Sequence, residues 1–327
     1  PGAARDARPG GAGPAALDRR RRRVHTASMT AYDVFNGDAD GICALLQLRL
    51  HTPRDAQPVT GVKRDIALLA QLPDGPHRLT VLDISLDRNR DDLERLLAAG
   101  SEVWYCDHHY AGEIPQHPRL EALINTAPEV CTSLLVNGRL QAAFAPWAVV
   151  GAFGDNLARS AGAAARSLDL DAATLALYRD LGTYINYNGY GPALEDLHYH
   201  PAELYRLMLP YERPEQFVSG APAHFERLRQ GYHDDMAAAE ALEPEWSGAG
   251  AALYLLPDAP WARRVSGVYS NALANASPRR AHAVLTQRAD GSFLVSVRAP
   301  LEDRRDADAL CRQFETGGGR AAAAGIN

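Results

Sequence analysis

Cysteine is scarce and scattered in this sequence. Cys43, Cys106, Cys131 and Cys311 form no C-x-x-C pair, which excludes a disulfide framework and a zinc knuckle and leaves buried free thiols. No stretch approaches the roughly 20 apolar residues that cross a bilayer, and no apolar secretory segment stands near the start. A cytoplasmic protein without a membrane partner is the expectation. G-x-S-x-G and P-loop signatures are missing too, so serine hydrolysis and ATP-driven chemistry have no support. Positive charge is short as well: 34 Lys and Arg face 40 Asp and Glu. Residues 1–28 carry a net +5, which leaves −11 on the remainder. Such an acidic body lacks the clustered cations of a surface that coats nucleic acid, so any nucleic-acid substrate should be short or gripped at one end.

What is present is enough for a sizeable core. The 327 residues, 46% hydrophobic and 23% charged, read as a soluble chain of about two domains. Residues 1–28, rich in Pro, Gly, Ala and Arg, read as a disordered basic tail, and Met29 as the natural start.

From Met29 short apolar runs alternate with helical ones. TAYDVF (30–35), PVTGV (58–62), LTVLDI (79–84), EVWYC (102–106) and EALIN (121–125) predict strands. GICALLQLRL (41–50) and RNRDDLERLLAAG (88–100) predict helices, the second ending on Gly100. This rhythm predicts an α/β fold with a mostly parallel sheet and helices on both faces. Segments 144–162, 171–185, 201–211 and 224–242 read as helices, the last two as a connector over 201–244. Beyond Pro244, AALYLLP, AHAVLTQ and GSFLVSVRAP read as the strands of a smaller α/β unit, residues 245–327, with a turn at Ala289-Asp290-Gly291. A small sheet normally continues past GGGRAAAAGIN, so this end reads as a truncation.

In open parallel sheets, ligands bind at the carboxyl ends of the strands. Here each early strand ends on a candidate metal ligand. The first runs into NGDADG, with Asp38 and Asp40; LTVLD ends on Asp83; EVWYC runs into Asp107, His108 and His109. Asp155, in GAFGDN, lies on or beside the next helical segment. Two hard divalent cations about 3.5–4 Å apart can clamp the attacking and leaving oxygens of a phosphoester. Carboxylates suit Mn²⁺ or Mg²⁺, and imidazoles favour Mn²⁺ and neighbours such as Co²⁺. In D-x-D the two acids leave a turn in different directions, so each can serve its own metal, and Asp83 can bridge. Singly, these signals have ordinary readings: D-x-D-G is commonly a turn, a strand-end Asp commonly a helix cap. Their ordered placement along one sheet edge is what points to chemistry.

NGDADG, VLD, CDHH and GDN, in that order over residues 30–327, resemble the DHH phosphoesterases: RecJ-like exonucleases, nanoRNases that also act as pAp phosphatases, and cyclic-dinucleotide phosphodiesterases. The final unit with GGGRAAAAG resembles their DHHA1 substrate domain. The resemblance implies a DHH catalytic domain over 29–200, a DHHA1 domain over 245–327, and an active site in the cleft between them. It implies that Asp38 and Asp83 hold one metal, and Asp40, Asp83, His108 and Asp155 the other. His109 would face the phosphate, and Asp107 would support the pair of histidines, which are expected to face opposite ways. One departure stands out. Where nanoRNase-type members carry a His this chain has Val34, and where RecJ-like members carry an Asp it has Asn36, a neutral and weaker ligand.

GGGR offers three glycines, Gly317, Gly318 and Gly319, whose backbone can approach an anion, and Arg320 adds a planar fork. This stretch reads as a Gly-rich loop, with plain Gly/Ala low complexity as the alternative. Arg298 stands where the resemblance implies an arginine on the substrate. TYINYNGYGP (183–192) reads as a loop whose tyrosines stack on bases and whose asparagines read their edges, Asn186 and Tyr187 among them, or as a structural turn. His198 and His200 in LHYHP read as surface residues, not a metal pair.

The expected activity is a two-metal phosphodiesterase or phosphatase, most simply with Mn²⁺, acting on short oligonucleotides or pAp-like nucleotides by in-line attack of water. Cyclic dinucleotides, pyrophosphate or polyphosphate are alternative substrates, and a non-catalytic nucleotide sensor is the alternative from another class. No motif implies a stable protein partner.

Overall fold

The computed structural model describes residues 29–327, and the expected basic tail lies outside the described residues. Five short strands form one parallel sheet: β1 (Thr30–Phe35), β2 (Gln57–Val59), β3 (His77–Leu82), β4 (Glu102–Asp107) and β5 (Leu120–Ile124), in the order β2-β1-β3-β4-β5. Successive residues point to opposite faces, and here both faces are buried. Val34, Val81 and Tyr105 align across the sheet on one side; Phe35, Leu82 and Cys106 align on the other. Each fully buried Leu, Val or Phe contributes roughly 1.5–3 kcal/mol.

α1 (Ala39–His51) and α2 (Arg90–Ala98) cover opposite faces. On the side of α1 lie α3 (Thr132–Arg139), α4 (Ala145–Gly154), α5 (Ala158–Ala165) and α6 (Ala172–Asn188). All ten residues of α4 are buried. A Cβ on its last residue, Gly154, would lie 2.3 Å from Ala39 Cβ and 2.8 Å from the Gly182 carbonyl oxygen. Only glycine permits α1, α4 and α6 to meet this closely.

The single helix expected over 144–162 is two, because the chain breaks at Asp155–Leu157, with Asn156 left-handed at φ 61°. Asn tolerates that conformation better than most residues. The helix expected to end near 185 continues to Asn188 and absorbs most of the predicted tyrosine loop. α7 (Pro201–Met208) and α8 (Pro214–Gly220) do not stand apart as a connector, since Leu204, Met208 and Phe217 belong to the first core. The bridging falls to α9 (Pro222–Glu240).

The second unit is a six-stranded sheet of β6 (Trp246–Ser247), β7 (Ala251–Leu256), β8 (Ala281–Gln287), β9 (Phe293–Arg298), β10 (Gly317–Arg320) and β11 (Ala323–Ile326), ordered β10-β11-β9-β8-β7-β6. Only β7 and β8 are parallel. α10 (Pro260–Ala276), not anticipated, supplies the crossover that a parallel pair requires, and the short α11 (Ala307–Cys311) precedes β10. GGGR is therefore an edge strand and not a loop. From α10, Arg264 pairs with Asp235 of α9 at 2.6 Å, and Arg263 pairs with Asp196 at 2.6 Å, tying the second unit to the first. No helix among the described residues is long and apolar enough to cross a membrane, and all four cysteines are free and buried.

Candidate metal centre

In the order β2-β1-β3-β4-β5 the chain reverses direction of travel across the sheet between β1 and β3, which opens a crevice beyond their carboxyl ends. Asp38 and Asp40 follow β1, Asp83 follows β3, and Asp107 ends β4 with His108 and His109 just past it. Asp155 arrives from the other side as the C-cap of α4. Asp38, Asp40, Asp83 and Asp107 are at most 3% exposed.

Each group is aimed by a specific partner. Asp40 accepts the backbone N–H groups of Thr132 and Ser133, both at 2.7 Å, so the start of α3 grips its carboxylate. The Thr132 hydroxyl donates to Asp83 Oδ1 at 3.0 Å. Asp83 itself sits left-handed at φ 60°, a strained conformation that surroundings must enforce. His108 Nδ1 lies 3.0 Å from the Val130 carbonyl oxygen. A carbonyl can only accept, so Nδ1 carries the proton and Nε2 offers its lone pair to the acids. That Nε2 lies 3.4 Å from Asp83, 3.8 Å from Asp155 and 3.9 Å from Asp40. Neither α3 nor its contacts were read in the sequence, although Thr132-Ser133 ahead of an apolar run is a helix-start signal.

The two histidines do not face opposite ways. Both lie beyond the end of β4, and their rings pack 4.3 Å apart. Their roles still differ. His109 Nδ1 donates to Asp107 Oδ1 at 2.7 Å and the side chain is 45% exposed, so its Nε2 is free toward solvent. Asp107 thus supports His109 alone, while the Val130 carbonyl serves His108.

Crowding shows in the protonation equilibria. Burial, reinforced by Asp40 and Asp38, pushes Asp155 up to about 7. Burial and the neighbouring acids also drive Asp83 well above the usual carboxylate range. For His109, burial works against the charge, but the Asp107 hydrogen bond prevails and raises its pKa. Two sets of donor atoms lie close enough to share one ion: Asp40, His108 and Asp155, and Asp83, His108 and His109. Carboxylates with one or two imidazoles fit a divalent cation of the Mn²⁺ or Mg²⁺ type. Asp38 belongs to neither set.

A cleft of about 520 Å³ opens between the two units. Arg298, Gly317, Gly318 and Gly319 line it, together with Tyr190 of the predicted tyrosine stretch and with Arg64, which no motif singled out. The Arg298 guanidinium bonds Asn271 Oδ1 at 2.7 Å and Ser296 Oγ at 3.0 Å, and among the described residues it has no carboxylate partner. Arg320 is exposed at the end of β10 and does not line the cleft. Tyr187 is 1% exposed and donates to Asp235 at 2.6 Å, so its ring is not presented for base stacking. Tyr190, from the same stretch, lines the cleft. Asn186 lies between the acids and the cleft, accepting from Lys63 Nζ at 2.8 Å, with its amide 3.4 Å from the Tyr190 hydroxyl. His200 caps α7, and His198 packs against α9 near Asp235, 3.7 Å away; the two form no metal pair.

No family model matches the sequence, and no curated protein matches it. Solved structures do. Exonuclease RecJ bound to manganese superposes with a TM-score of 0.59 at 18% identity, over 91% of this chain and 85% of that one. The DHH domain of a member of the s1p family of ribosomal proteins gives 0.60 at 13%, over 91% and 82%. The pGpG-specific phosphodiesterase PggH from a Vibrio gives 0.53 at 13%, over 90% and 92%. At such identities the likeness is one of fold, and it bears out the resemblance carried by NGDADG, VLD, CDHH and GDN: this chain has the two-domain DHH–DHHA1 fold of the RecJ-like proteins.

Proposed function

We propose that the protein is a metal-dependent phosphoesterase acting on short, phosphate-ended oligonucleotides or pAp-like nucleotides. The observation that carries this reading is the approach of Asp40, Asp83 and Asp155 to one atom, His108 Nε2, at 3.4 to 3.9 Å, in two overlapping ligand sets that share His108, with the exposed edge of His109 beside them. Those residues would hold a divalent cation, which would supply a Lewis acid and lower the pKa of a bound water. The protein's own groups do the rest. His109, whose protonated form the Asp107 hydrogen bond favours, neutralises charge that develops on the phosphate oxygens. Arg298 presents a guanidinium free of carboxylates to a terminal phosphate, and Gly318 and Gly319, without side chains, let the backbone of β10 come close to it along the cleft wall. The cleft is of a size that suits a nucleotide or a short oligomer. RecJ is an exonuclease and PggH a pGpG-specific phosphodiesterase, which supports phosphodiester substrates.

The test is a panel of pAp, dinucleotides, longer single strands, cyclic dinucleotides and polyphosphate, each incubated with Mn²⁺ and ranked by rate. Release of 5′-mononucleotides from the shortest substrates, lost in Asp83→Ala, is expected. Full activity in that variant sinks the assignment of Asp83, and nucleotide binding without any product makes the protein a sensor.

A further inference from the structure

Lys63 is the only lysine of the sequence; every other basic side chain among the 34 is an arginine. It stands in the crevice beyond β2 and is anchored at both ends. Its backbone N–H donates to the Gly189 carbonyl at 2.8 Å, and its carbonyl accepts from Asn36 Nδ2 at 3.2 Å. The ammonium lies 2.6 Å from Asp38 Oδ2 and 2.8 Å from Asn186 Oδ1, with the Tyr190 ring centroid 5.8 Å away.

This arrangement uses up Asp38. Its Oδ1 accepts the N–H groups of Asp40 and Gly41 at 3.0 and 3.1 Å, capping α1, and its Oδ2 faces the ammonium. Asn36 is equally committed, since its Oδ1 accepts the Asp38 N–H at 3.2 Å while its amide holds the Lys63 carbonyl. An aspartate at position 36 would turn an acceptor toward that carbonyl, so the loop bearing Lys63 needs the neutral amide. The weak ligand at position 36 and the lone lysine are one device.

We propose that the Lys63 ammonium takes the place of the cation expected between Asp38 and Asp83, so that each chain holds a single divalent cation, at Asp40, Asp83, His108 and Asp155. An ammonium is a compact charge with three donors, able to satisfy Asp38 and Asn186 at once and to repel a metal ion seated beside it. It adds fixed positive charge next to the reacting phosphate whatever the cation supply. The inference rests on the metal-dependent reading above, and the experiment separates the two.

Metal content is measured on protein equilibrated with excess Mn²⁺ and then freed of unbound ion, with electron paramagnetic resonance on the same samples. One Mn²⁺ per chain is expected, with the spectrum of an isolated ion, retained in Asp38→Asn and lost in His108→Ala. The double variant Asn36→Asp, Lys63→Ala should bind a second ion and show an exchange-coupled pair. Two ions per wild-type chain overturn the proposal while leaving the metal-dependent reading intact. Loss of the single ion in Asp38→Asn, or a folded double variant that still binds one, overturns it as well. No bound Mn²⁺ in the wild type overturns both. The wild-type count decides even if the double variant does not fold.

Discussion

Replacing Asp155 by Asn should make the metal-free protein more stable and its metal complex less so. Asp155 caps α4 among buried acids, 21% exposed, with its nearest ring nitrogen, His108 Nε2, at 3.8 Å. Burial, Asp40 and Asp38 lift it from 3.8 to about 7. A carboxyl whose folded pKa is raised binds a proton more tightly folded than unfolded, so stability falls as pH climbs from 3.8 to about 7 and stays low above. At about 1.36 kcal/mol per unit, the charged form costs the fold on the order of 4 kcal/mol at pH 8. Asn keeps the shape and removes the charge. With chelator at pH 8, Asp155→Asn should therefore gain up to ~4 kcal/mol, several degrees of melting temperature or more. At pH 5 less than half of that gain should remain, and near pH 4 almost none. Saturating Mn²⁺ should reverse the order, because a ligand that binds only the folded state stabilises the wild type by RT ln(1 + [L]/Kd). Thermal or urea unfolding at pH 8 and pH 5, with chelator and with Mn²⁺, gives the whole comparison. Equal stability of the two proteins in chelator at pH 8 would refute the electrostatic reasoning. A gain of the same size at both pH values would refute it too, by assigning the effect to packing.

Three further outcomes follow from the geometry. His109→Ala should lower kcat by about 10²–10³ through loss of a charged donor at the phosphate, with the Mn²⁺ content unchanged. Asp107→Asn should shift the alkaline limb of the pH–rate profile to lower pH, since Asp107 holds the His109 pKa up and activity needs the protonated ring. Arg49 and Asp33 form a buried ion pair, Nε to Oδ2 at 2.7 Å, beneath the sheet and toward the amino ends of its strands. Arg49→Met strands Asp33 and should cost about 3–5 kcal/mol in urea unfolding, while kcat below the melting range stays as in the wild type.

The strands that carry the acids were legible because each is a run of apolar residues ending abruptly on a charge, a pattern that parallel sheets impose. What escaped was decided by tertiary contacts. α4 and α5 read as one helix because α4 is buried on all sides and shows no polar face to mark its end; only Gly-Asp-Asn marked the break. TYINYNGY has the composition of a loop, yet the buried faces of Tyr184, Ile185 and Tyr187 carry the helix to Asn188, where packing overrides propensity. GGGR has no side chains whose alternation could reveal a strand, and its pairing with Ala323–Ile326 is settled by backbone hydrogen bonds alone. The histidines were placed on a strand by their neighbours Tyr105 and Cys106, but the strand ends at Asp107, and freedom from its alternation lets the two rings share one side.

Asp38 shows why the ligand set was harder to read than the fold. A D-x-D-G after a strand admits two meanings, a helix cap or a metal ligand, and sequence order cannot separate them. Here the two acids divide the meanings between them. Asp38 caps α1 with one oxygen and meets Lys63 with the other, while Asp40, held from outside by the N–H groups of α3, keeps its remaining lone pairs for the crevice. Asp83 and His108 are likewise fixed by Thr132 and the Val130 carbonyl. Among the site's acids on the cation side, Asp155 alone accepts no side-chain or backbone hydrogen bond among the described residues, and it sits at a helix end beside a strained Asn156. A rigid three-residue cradle with one looser carboxyl, whose proton affinity its acidic neighbours raise, is an arrangement in which capture of a cation is coupled to loss of the Asp155 proton.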